Sequence, residues 1–269
     1  METKSKELEV AITAALAAGE IIEKYFETEI LKEFKEDNTP VTLADNEAEA
    51  VIKKIILEAF PTHSFLGEET GMTENGKEYV WHIDPIDGTR NFMNGIPIFA
   101  VSLALVRHNK IVVGVIHNPI TESLFYAEAG KGAYFNDKQI FVSKDSREHA
   151  MVSVSPGKKD PSKLLFRELY YHFKQGVISS VRNFGCTSME LAYVARGGLE
   201  ANVQLGLATY DFAAGVLLVQ EAGGTITRHD GTPWTFPENE SIASNGLFHD
   251  LLVAEVQKQK EKLKQQEKK

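Results

Sequence analysis

The sequence predicts a mixed α and β fold, and three patterns along its 269 residues indicate this class. Two apolar stripes at helical spacing occupy the N-terminal region. Short runs rich in β-branched and aromatic residues follow, from about residue 79 to residue 135. After about residue 146, strand and helix patterns alternate, as is typical of chains that cover a sheet with helices. This length fits one large domain or two lobes that share a core.

Two helices are predicted in the N-terminal region. The apolar face of the first helix consists of Leu8, Ile12, Ala15, Leu16, Gly19, Ile22 and Phe26. A polar stretch at residues 35–40 then interrupts the pattern. The second helix begins near Asp45 and stops at Pro61. Its apolar stripe consists of Ala48, Val51, Ile52, Ile55, Ile56 and Ala59.

The middle of the chain predicts the strands of a sheet. Residues 100–106 and 111–116 flank His108-Asn109 and are typical of an antiparallel hairpin with a short loop. Further strands are predicted at residues 79–83, 124–127 and 133–135. In the alternating part we expect strands near residues 151, 179, 199–203 and 224–227, and helices over residues 162–174, 188–196 and 211–221.

Composition and charge exclude several classes of protein. The chain has 29 basic and 38 acidic side chains and a formal charge of −9, whereas nucleic-acid-binding proteins usually present a basic face. No apolar run approaches the roughly 18 residues that a membrane-spanning helix needs. The single cysteine, Cys186, excludes a disulfide within the chain, and the N terminus lacks a signal-peptide pattern. We therefore expect a cytoplasmic protein without a nucleic-acid polymer or a membrane as partner.

The segment at residues 257–269 forms a charged C-terminal tail. It carries six lysines and two glutamates with a single leucine, Leu263. Because it has so little apolar surface, we expect a solvated, fraying helix end with nothing to bury. A patch for a partner or a membrane surface is the alternative.

Acidic residues cluster in four segments where predicted elements begin or end. The segments are Thr42-Leu43-Ala44-Asp45, Gly67-Glu68-Glu69, Asp84-Pro85-Ile86-Asp87-Gly88-Thr89 and Tyr210-Asp211. Taken singly, each has a structural explanation as a turn, a helix cap or a solvated acidic pair. Together they place several carboxylates between apolar segments. Unpaired buried charges are costly there, and a metal ion would offset the cost.

The stretch Asp-Pro-Ile-Asp-Gly-Thr has the composition of a metal-binding turn. Its proline and glycine bend the backbone, so that Asp84 and Asp87 can converge with the carbonyl of Ile86. Such an all-oxygen set suits Mg²⁺, Mn²⁺ or Ca²⁺ rather than zinc. If a helix opens here, the amides of Gly88 and Thr89 would face an anion such as a phosphate.

Other catalytic templates do not match this sequence. It contains no P-loop of the form Gly-x-x-x-x-Gly-Lys-Ser/Thr and no Gly-x-Ser-x-Gly elbow. Its eight histidines lack the helical spacing of a zinc site. We interpret His82 as a strand residue and Cys186 as a buried, small apolar residue.

The acidic motifs resemble those of the inositol monophosphatase family. The resemblance rests on Gly67-Glu68-Glu69, on Trp81-x-x-Asp-Pro-Ile-Asp-Gly-Thr and on Tyr210-Asp211-x-Ala-Ala-Gly. It covers the chain from about Leu8 to Val256 and implies a layered α-β-α-β-α sandwich. It also implies one phosphatase domain at residues 1–256, with lobes at about 1–145 and 146–256, and a homodimer that hydrolyses a small phosphate monoester with Mg²⁺.

The resemblance further implies a ligand set for two or three Mg²⁺ ions, with Mn²⁺ as a substitute. Glu68, Asp84 and the Ile86 carbonyl would hold the first ion. Asp84, Asp87 and Asp211 would hold the second, and Glu68 would contribute to a weaker third.

Residues for the attacking water and the substrate are implied in the same way. Thr89 and Asp45, with Thr42 beside Asp45, would position and deprotonate a water that attacks phosphorus in line, without a phosphoenzyme. Lys35 would lie in a loop that approaches the metal ions. The substrate-binding residues would be Asp87, Gly88, Thr89, Gly185, Thr187, Gln204 and Asp211.

The identity of the substrate stays open because Gln204 departs from the family pattern. Members that act on inositol phosphate often have a glutamate here, and a glutamine lacks its charged acceptor. Inositol monophosphate or a related sugar or polyol phosphate is the first candidate, and histidinol phosphate is the alternative. Fructose 1,6-bisphosphate, 3′-phosphoadenosine 5′-phosphate and NADP are also open. A non-catalytic phosphate-binding regulator on the same fold is the alternative from another class.

Overall fold

The computed structural model describes residues 3–28, 33–34, 40–157 and 159–266. Its helices are α1 (Lys6–Tyr25), α2 (Leu43–Ala59), α3 (Thr89–Met93), α4 (Asp160–His172), α5 (Thr187–Ala195), α6 (Thr209–Glu221) and α7 (His249–Gln266). Within these ranges, no helix combines the length and the apolar composition that a bilayer crossing requires.

The first large sheet has eight strands and is antiparallel except at one pair. A two-stranded ribbon of β1 (Glu33–Phe34) and β2 (Pro40–Val41) precedes it. The sheet consists of β3 (Ser64–Gly67), β4 (Gly71–Thr73), β5 (Tyr79–Asp87), β6 (Ala100–Arg107), β7 (Lys110–Asn118), β8 (Ser123–Glu128), β9 (Ala133–Phe135) and β10 (Lys138–Ile140). The spatial order is β10-β9-β8-β7-β6-β5-β3-β4, and β3 runs parallel to β5.

The second large sheet has five strands of mixed direction. They are β11 (Met151–Pro156), β12 (Ser180–Arg182), β13 (Ala201–Leu205), β14 (Thr225–Thr227) and β15 (Glu240–Ser244). In the order β12-β11-β13-β15-β14, β11 pairs in parallel with both neighbours and β15 is antiparallel to both of its own.

The two sheets and six of the helices form five layers. α1 and α2 cover one face of the first sheet, where Ile52 and Val115 share a core. α5 and α6 lie between the sheets, and their core joins Leu191 to Ala243 of the second sheet. α4 and α7 cover the outer face of the second sheet around Val203. Because both faces of the first sheet are covered, β6 is buried along almost its whole length. The α-β-α-β-α sandwich is therefore confirmed.

Most of the predicted elements are confirmed. The hairpin of β6 and β7 turns at His108 and Asn109, which both have positive φ, as a two-residue hairpin turn requires. Six strands, β1, β2, β3, β4, β10 and β15, have no counterpart in the sequence prediction. The first five have only two to four residues, and β15 is rich in polar residues, so neither alternation nor an apolar run marks them.

The predicted apolar face of α1 is wrong in one respect. Leu16 is 41% exposed, whereas the buried stripe includes Ala11, Ala14 and Ala18. Small side chains let α1 pack closely against its neighbours, so the buried face follows the alanines rather than the largest apolar residue. The predictions for residues 35–39, including the one for Lys35, fall outside the described residues.

The expectation that the tail has nothing to bury is also wrong for its described part. α7 continues to Gln266 as one helix, with Gln259 buried and Leu263 packed against the core of the outer layer. The Gln257 side chain donates to the carbonyl of His229 at 2.8 Å, and Lys260 Nζ donates to Glu240 at 2.6 Å. Long polar side chains can cover a surface in this way when their polar ends find partners.

Candidate active site

The C-terminal end of β5 carries two carboxylates, Asp84 and Asp87. β5 pairs with β6 through Asp84 opposite Ser102 and Asp87 opposite Ala100, so one extra residue bulges from β5 between the two aspartates. Asp84 Oδ1 accepts a hydrogen bond from the backbone N–H of Ile86 at 3.0 Å. The bulge therefore orients Asp84 and turns the chain toward Asp87.

Three carboxylates converge at this end of β5. Oxygen atoms of Glu68, Asp84 and Asp211 all lie within 4.8 Å of one another. Glu68 follows β3, and its backbone N–H donates to the carbonyl of Ile83 at 3.0 Å. Asp211 lies in the first turn of α6 and accepts a hydrogen bond from Ala208 N at 3.0 Å. Three separate segments of the chain thus supply one acidic cluster.

Asp84 is the most buried member of this cluster, with 1% of its surface exposed. Burial, followed by the charges of Glu68, Asp87 and Asp211, holds the pKa of Asp84 well above its usual range. These carboxylates therefore repel one another in the absence of a cation.

Asp87 lies at the end of β5. Its carboxylate is held by residues at the N terminus of α5. Asp87 Oδ2 accepts hydrogen bonds from Ser188 N at 2.6 Å and from Cys186 Sγ at 3.3 Å. Burial raises the pKa of Asp87 to about 6, against the opposing effect of these hydrogen bonds. Asp87 does not belong to the group of three carboxylates whose oxygens lie within 4.8 Å of one another, although its charge raises the pKa of Asp84.

Asp45 lies in the first turn of α2 as the acidic partner of a capping box with Thr42. Asp45 Oδ2 accepts from Thr42 N at 2.7 Å and from Thr42 Oγ1 at 2.6 Å. Burial raises the pKa of Asp45 to about 7, the bonds from Thr42 lower it, and the charges of Glu69 and Glu68 raise it further. The carboxyl group can therefore exchange a proton near neutral pH, beside the acidic cluster.

Gly88 and Thr89 connect β5 to the short helix α3. Gly88 caps α3 with φ at +93°, and a Cβ here would lie 3.0 Å from Ile98 O and 3.1 Å from Cys186 Cβ. Only glycine fits such a backbone at such close range. Thr89 Oγ1 donates to the carbonyl of Ile86 at 3.0 Å, so this hydroxyl lies beside a predicted metal-binding carbonyl.

The predicted substrate residues occupy different places. Gly185 lies against Gly88, since its carbonyl would be 3.3 Å from a Cβ there, and Thr187 is a buried residue that begins α5. Gln204 is fully buried in β13, where its Oε1 accepts from Ser241 Oγ at 2.6 Å. Its Nε2 has no hydrogen-bond partner among the described residues. Gly185 is thus close to Gly88, whereas Gln204 is buried within the second sheet, where its oxygen is bonded to the neighbouring strand β15.

His82 is a strand residue and Cys186 is buried, as predicted from the sequence. His82 lies within β5, and its Nδ1 is 2.8 Å from Thr209 Oγ1. Burial lowers the pKa of His82 to about 4, so this side chain is neutral at ordinary pH. Cys186 is buried, and burial raises the pKa of its thiol, but its S–H also donates to Asp87, which the sequence interpretation missed.

Sequence reasoning also missed Ser188 and Tyr210 as parts of the site. Ser188 donates to Asp87 through its backbone N–H, and its side chain also lowers the pKa of Asp87, but a single serine is too common to mark either contact in the sequence. Burial, followed by the charges of Glu68, Asp211 and Asp84, holds the pKa of the Tyr210 phenol above its usual range. Its position next to Asp211 is the signal that could have identified it.

The residues present fit a divalent cation. The cluster offers only carboxylate oxygens, and the predicted Ile86 carbonyl belongs to the residue two positions after Asp84; such hard ligands suit Mg²⁺ or Mn²⁺. The upward pKa shift of Asp84 supports this fit, because a cation between the carboxylates would stabilise their ionised forms.

Comparisons with known proteins agree with this chemistry. A sequence model of the inositol monophosphatase family matches residues 3–261. The fructose-1,6-bisphosphatase/inositol-1-monophosphatase of Aquifex aeolicus is 36% identical over 267 residues, which cover 96% of this chain and 98% of that protein. The inositol-1-monophosphatase of Caulobacter vibrioides is 40% identical over 219 residues, covering 79% and 85%. The solved structure of the IMPase of Thermotoga maritima has a TM-score of 0.88 and 31% identity, covering 96% of this chain and 99% of that chain.

Proposed function

This chain belongs to the inositol monophosphatase family and is a phosphoric monoester hydrolase, and from this premise we propose that it hydrolyses a small sugar or polyol phosphate with Mg²⁺. The observation that carries the proposal is the convergence of Glu68, Asp84 and Asp211 oxygens within 4.8 Å. A partly buried acidic cluster of this kind, with Asp84 fully buried at its centre, costs free energy unless a cation neutralises it.

The proposed ligand set divides the carboxylates between two or three ions, with Mn²⁺ as a substitute for Mg²⁺. Glu68, Asp84 and the Ile86 carbonyl would hold one ion, and Asp84, Asp87 and Asp211 another. When bound, such cations would lower the pKa of the attacking water and stabilise the charge on the leaving oxygen.

Asp45 and Thr89 are proposed to handle the attacking water. Asp45 would accept its proton, which a pKa of about 7 favours, and Thr42 would keep the carboxylate oriented through its two hydrogen bonds. Thr89 Oγ1 would orient the water beside the Ile86 carbonyl. The attack would displace the alcohol in line and release inorganic phosphate without a phosphoenzyme.

The substrate is proposed to be inositol monophosphate or a related sugar or polyol phosphate. The amides of Gly88 and Thr89 would bind its phosphate, and Gly185 and Thr187 would contact its hydroxyls. Fructose 1,6-bisphosphate is the second candidate, because the relative from Aquifex aeolicus carries both activities in its name.

The assembly and location are also proposals. We propose a cytoplasmic homodimer, with residues 1–256 as one phosphatase unit of two lobes, at about 1–145 and 146–256. The family resemblance supports the dimer, and the single buried cysteine fits a reducing compartment.

Phosphate release across a panel of substrates tests the proposed function. The panel contains inositol 1-phosphate, fructose 1,6-bisphosphate, histidinol phosphate, 3′-phosphoadenosine 5′-phosphate and NADP, each with Mg²⁺ and with EDTA. We expect Mg²⁺-dependent release with a clear preference for a sugar or polyol phosphate. Phosphate binding without release from any of them, by folded protein, would support the regulator alternative instead.

A further inference from the structure

Glu49 is a buried carboxylate for which the proposed reaction has no role. It lies on α2, one helical turn after Asp45, and has no exposed surface. Residues four apart share a helix face, so Glu49 and Asp45 point to the same side of α2. A buried carboxylate beside an acidic site needs a physical reason, because its charge adds to the local repulsion.

The contacts of Glu49 provide this reason. Its Oε2 accepts a hydrogen bond from the backbone N–H of Glu69 at 2.9 Å. Its Oε1 lies 2.9 Å from Lys53 Nζ and also accepts from Thr70 Oγ1. Both oxygens therefore receive donors, and two of these donors belong to the turn that follows β3.

Gly67 brings the backbone of this turn directly onto the carboxylate. A Cβ built on Gly67 would lie 2.5 Å from Cδ and 2.7 Å from Oε2 of Glu49. Both distances are far inside van der Waals contact, so any side chain at this position would displace the Glu49 carboxylate from the turn. The close approach and the hydrogen bonds are independent observations of the same contact.

Glu68 lies between the two points at which Glu49 contacts the turn. Gly67 precedes it and Glu69 follows it, while its own N–H is bonded to Ile83 of β5. The backbone of Glu68 is thus fixed from β5 on one side and from α2 on the other. From this fixed backbone, the side chain of Glu68 extends to the cluster with Asp84.

We propose that Glu49, with Lys53 as its counter-ion, is a positioning residue that fixes Glu68 relative to Asp45 and so sets the affinity of the acidic cluster for its divalent cation. The inference rests on the proposed function, in which Glu68 is a metal ligand and Asp45 the proton acceptor. Residues that orient metal ligands typically change metal affinity by about 10–100-fold when they are altered.

A carboxylate suits this position better than an amide of the same shape. In a Glu49→Gln variant the NH₂ group would face either the N–H of Glu69 or the ammonium of Lys53, and each is itself a donor. The turn would have to move to avoid this pairing of donors. Glu58, an exposed residue on the same helix, offers a matched control, because Glu58→Gln removes the same charge from α2 without touching the turn.

Calorimetric titration of Mn²⁺ into the apo-protein tests the inference without relying on turnover. We expect Glu49→Gln to weaken Mn²⁺ binding by at least about tenfold, and Glu58→Gln to change it by less than about twofold. In assays, the Mg²⁺ concentration for half-maximal rate should rise in parallel, while the substrate KM at saturating Mg²⁺ stays within about twofold of wild type.

The outcomes separate this inference from the proposed function. Wild-type protein that binds no Mn²⁺ would overturn the metal site itself. Wild-type and Glu49→Gln proteins that bind Mn²⁺ equally well would overturn only the positioning role. If Glu49→Gln does not fold, Thr70→Val removes one donor from the exposed side of the same contact, and unchanged Mn²⁺ affinity in that variant would equally contradict the role.

Discussion

Asp87 Oδ2 lies 2.6 Å from the backbone nitrogen of Ser188, a residue 101 positions further along the chain. Asp87 ends a strand of the first sheet, and Ser188 lies in the first turn of the helix α5 between the two sheets. Asp87, a proposed metal ligand in the first sheet, is therefore oriented by a helix that belongs to another layer and lies far away in the sequence. Changes at the start of α5 are expected to reach the acidic site through this hydrogen bond.

The carboxylate cluster should lower the stability of the metal-free protein, although the metal-dependent reaction needs it. Asp84→Asn removes the central charge, so we expect kcat to fall by at least about 10³-fold, while the metal-free protein becomes more stable at about pH 8 because the carboxylates repel one another less. Melting without metal should show this as an increase in Tm. Surviving activity in this variant would contradict the role of Asp84.

The pH dependence of that stabilisation follows from the raised pKa values. Burial keeps the pKa of Asp45 near 7 and that of Asp87 near 6, so the folded protein binds protons that the unfolded chain releases at about pH 4. The contribution of these groups to the free energy of unfolding therefore falls as pH rises from about 4 to about 7. The Tm increase of Asp84→Asn should be smaller at about pH 5 than at about pH 8, and an equal increase at both would contradict this explanation.

The Thr42 hydroxyl should set the pH at which Asp45 becomes ionised. Its hydrogen bond lowers the pKa of Asp45, so Thr42→Val should raise that pKa and move the acidic limb of the kcat profile upward by roughly one pH unit. Thr42→Ser retains the hydroxyl and should keep the wild-type profile. Profiles of kcat against pH at saturating Mg²⁺ check this, and the same shift in both variants would argue against the hydrogen bond as the cause.

Replacing Gly88 should lower the free energy of unfolding far more than replacing a glycine of similar backbone conformation elsewhere. Gly88 and Gly223 both have positive φ, but a Cβ meets Ile98 O at 3.0 Å at Gly88 and nothing within 4 Å at Gly223. We expect Gly88→Ala to lower the free energy of unfolding by about 3 kcal/mol and Gly223→Ala by about 1 kcal/mol. Urea unfolding measures both, and equal losses would show that the close approach at Gly88 contributes nothing.

The docked end of α7 should contribute to stability without contributing to catalysis. Truncation after Val256 removes the bonds of Gln257 to His229 and of Lys260 to Glu240, together with the packing of Leu263. We expect a loss of about 2 kcal/mol in urea unfolding, with kcat within about twofold of wild type. An unchanged unfolding midpoint would restore the interpretation of this segment as a free, solvated tail.

Local chemistry explains what the sequence could predict. The Asp-Pro-Ile-Asp-Gly-Thr stretch carries its own bend, so the approach of Asp84 to the Ile86 amide follows from neighbouring residues. The capping box of Thr42 and Asp45 spans four residues, so the sequence predicts it in the same way. The hairpin at His108-Asn109 likewise needs only its flanking strands.

Contacts between distant segments explain what the sequence could not predict. The bond of Ser188 to Asp87 uses a backbone N–H, which every residue except proline carries. The fit of Glu49 against Gly67 depends on how α2 packs beside β3, and no local pattern encodes that distance. The buried position of Gln259 likewise depends on the groove that other elements provide for α7.

Phosphate release from inositol 1-phosphate, followed while Mg²⁺ is added back to chelator-treated protein, tests the carboxylate site most directly. We expect no release above background without metal, and a saturable return of activity as Mg²⁺ binds at Glu68, Asp84 and Asp211. A rate that is the same with excess EDTA as with Mg²⁺ would contradict a metal-dependent reaction at this cluster.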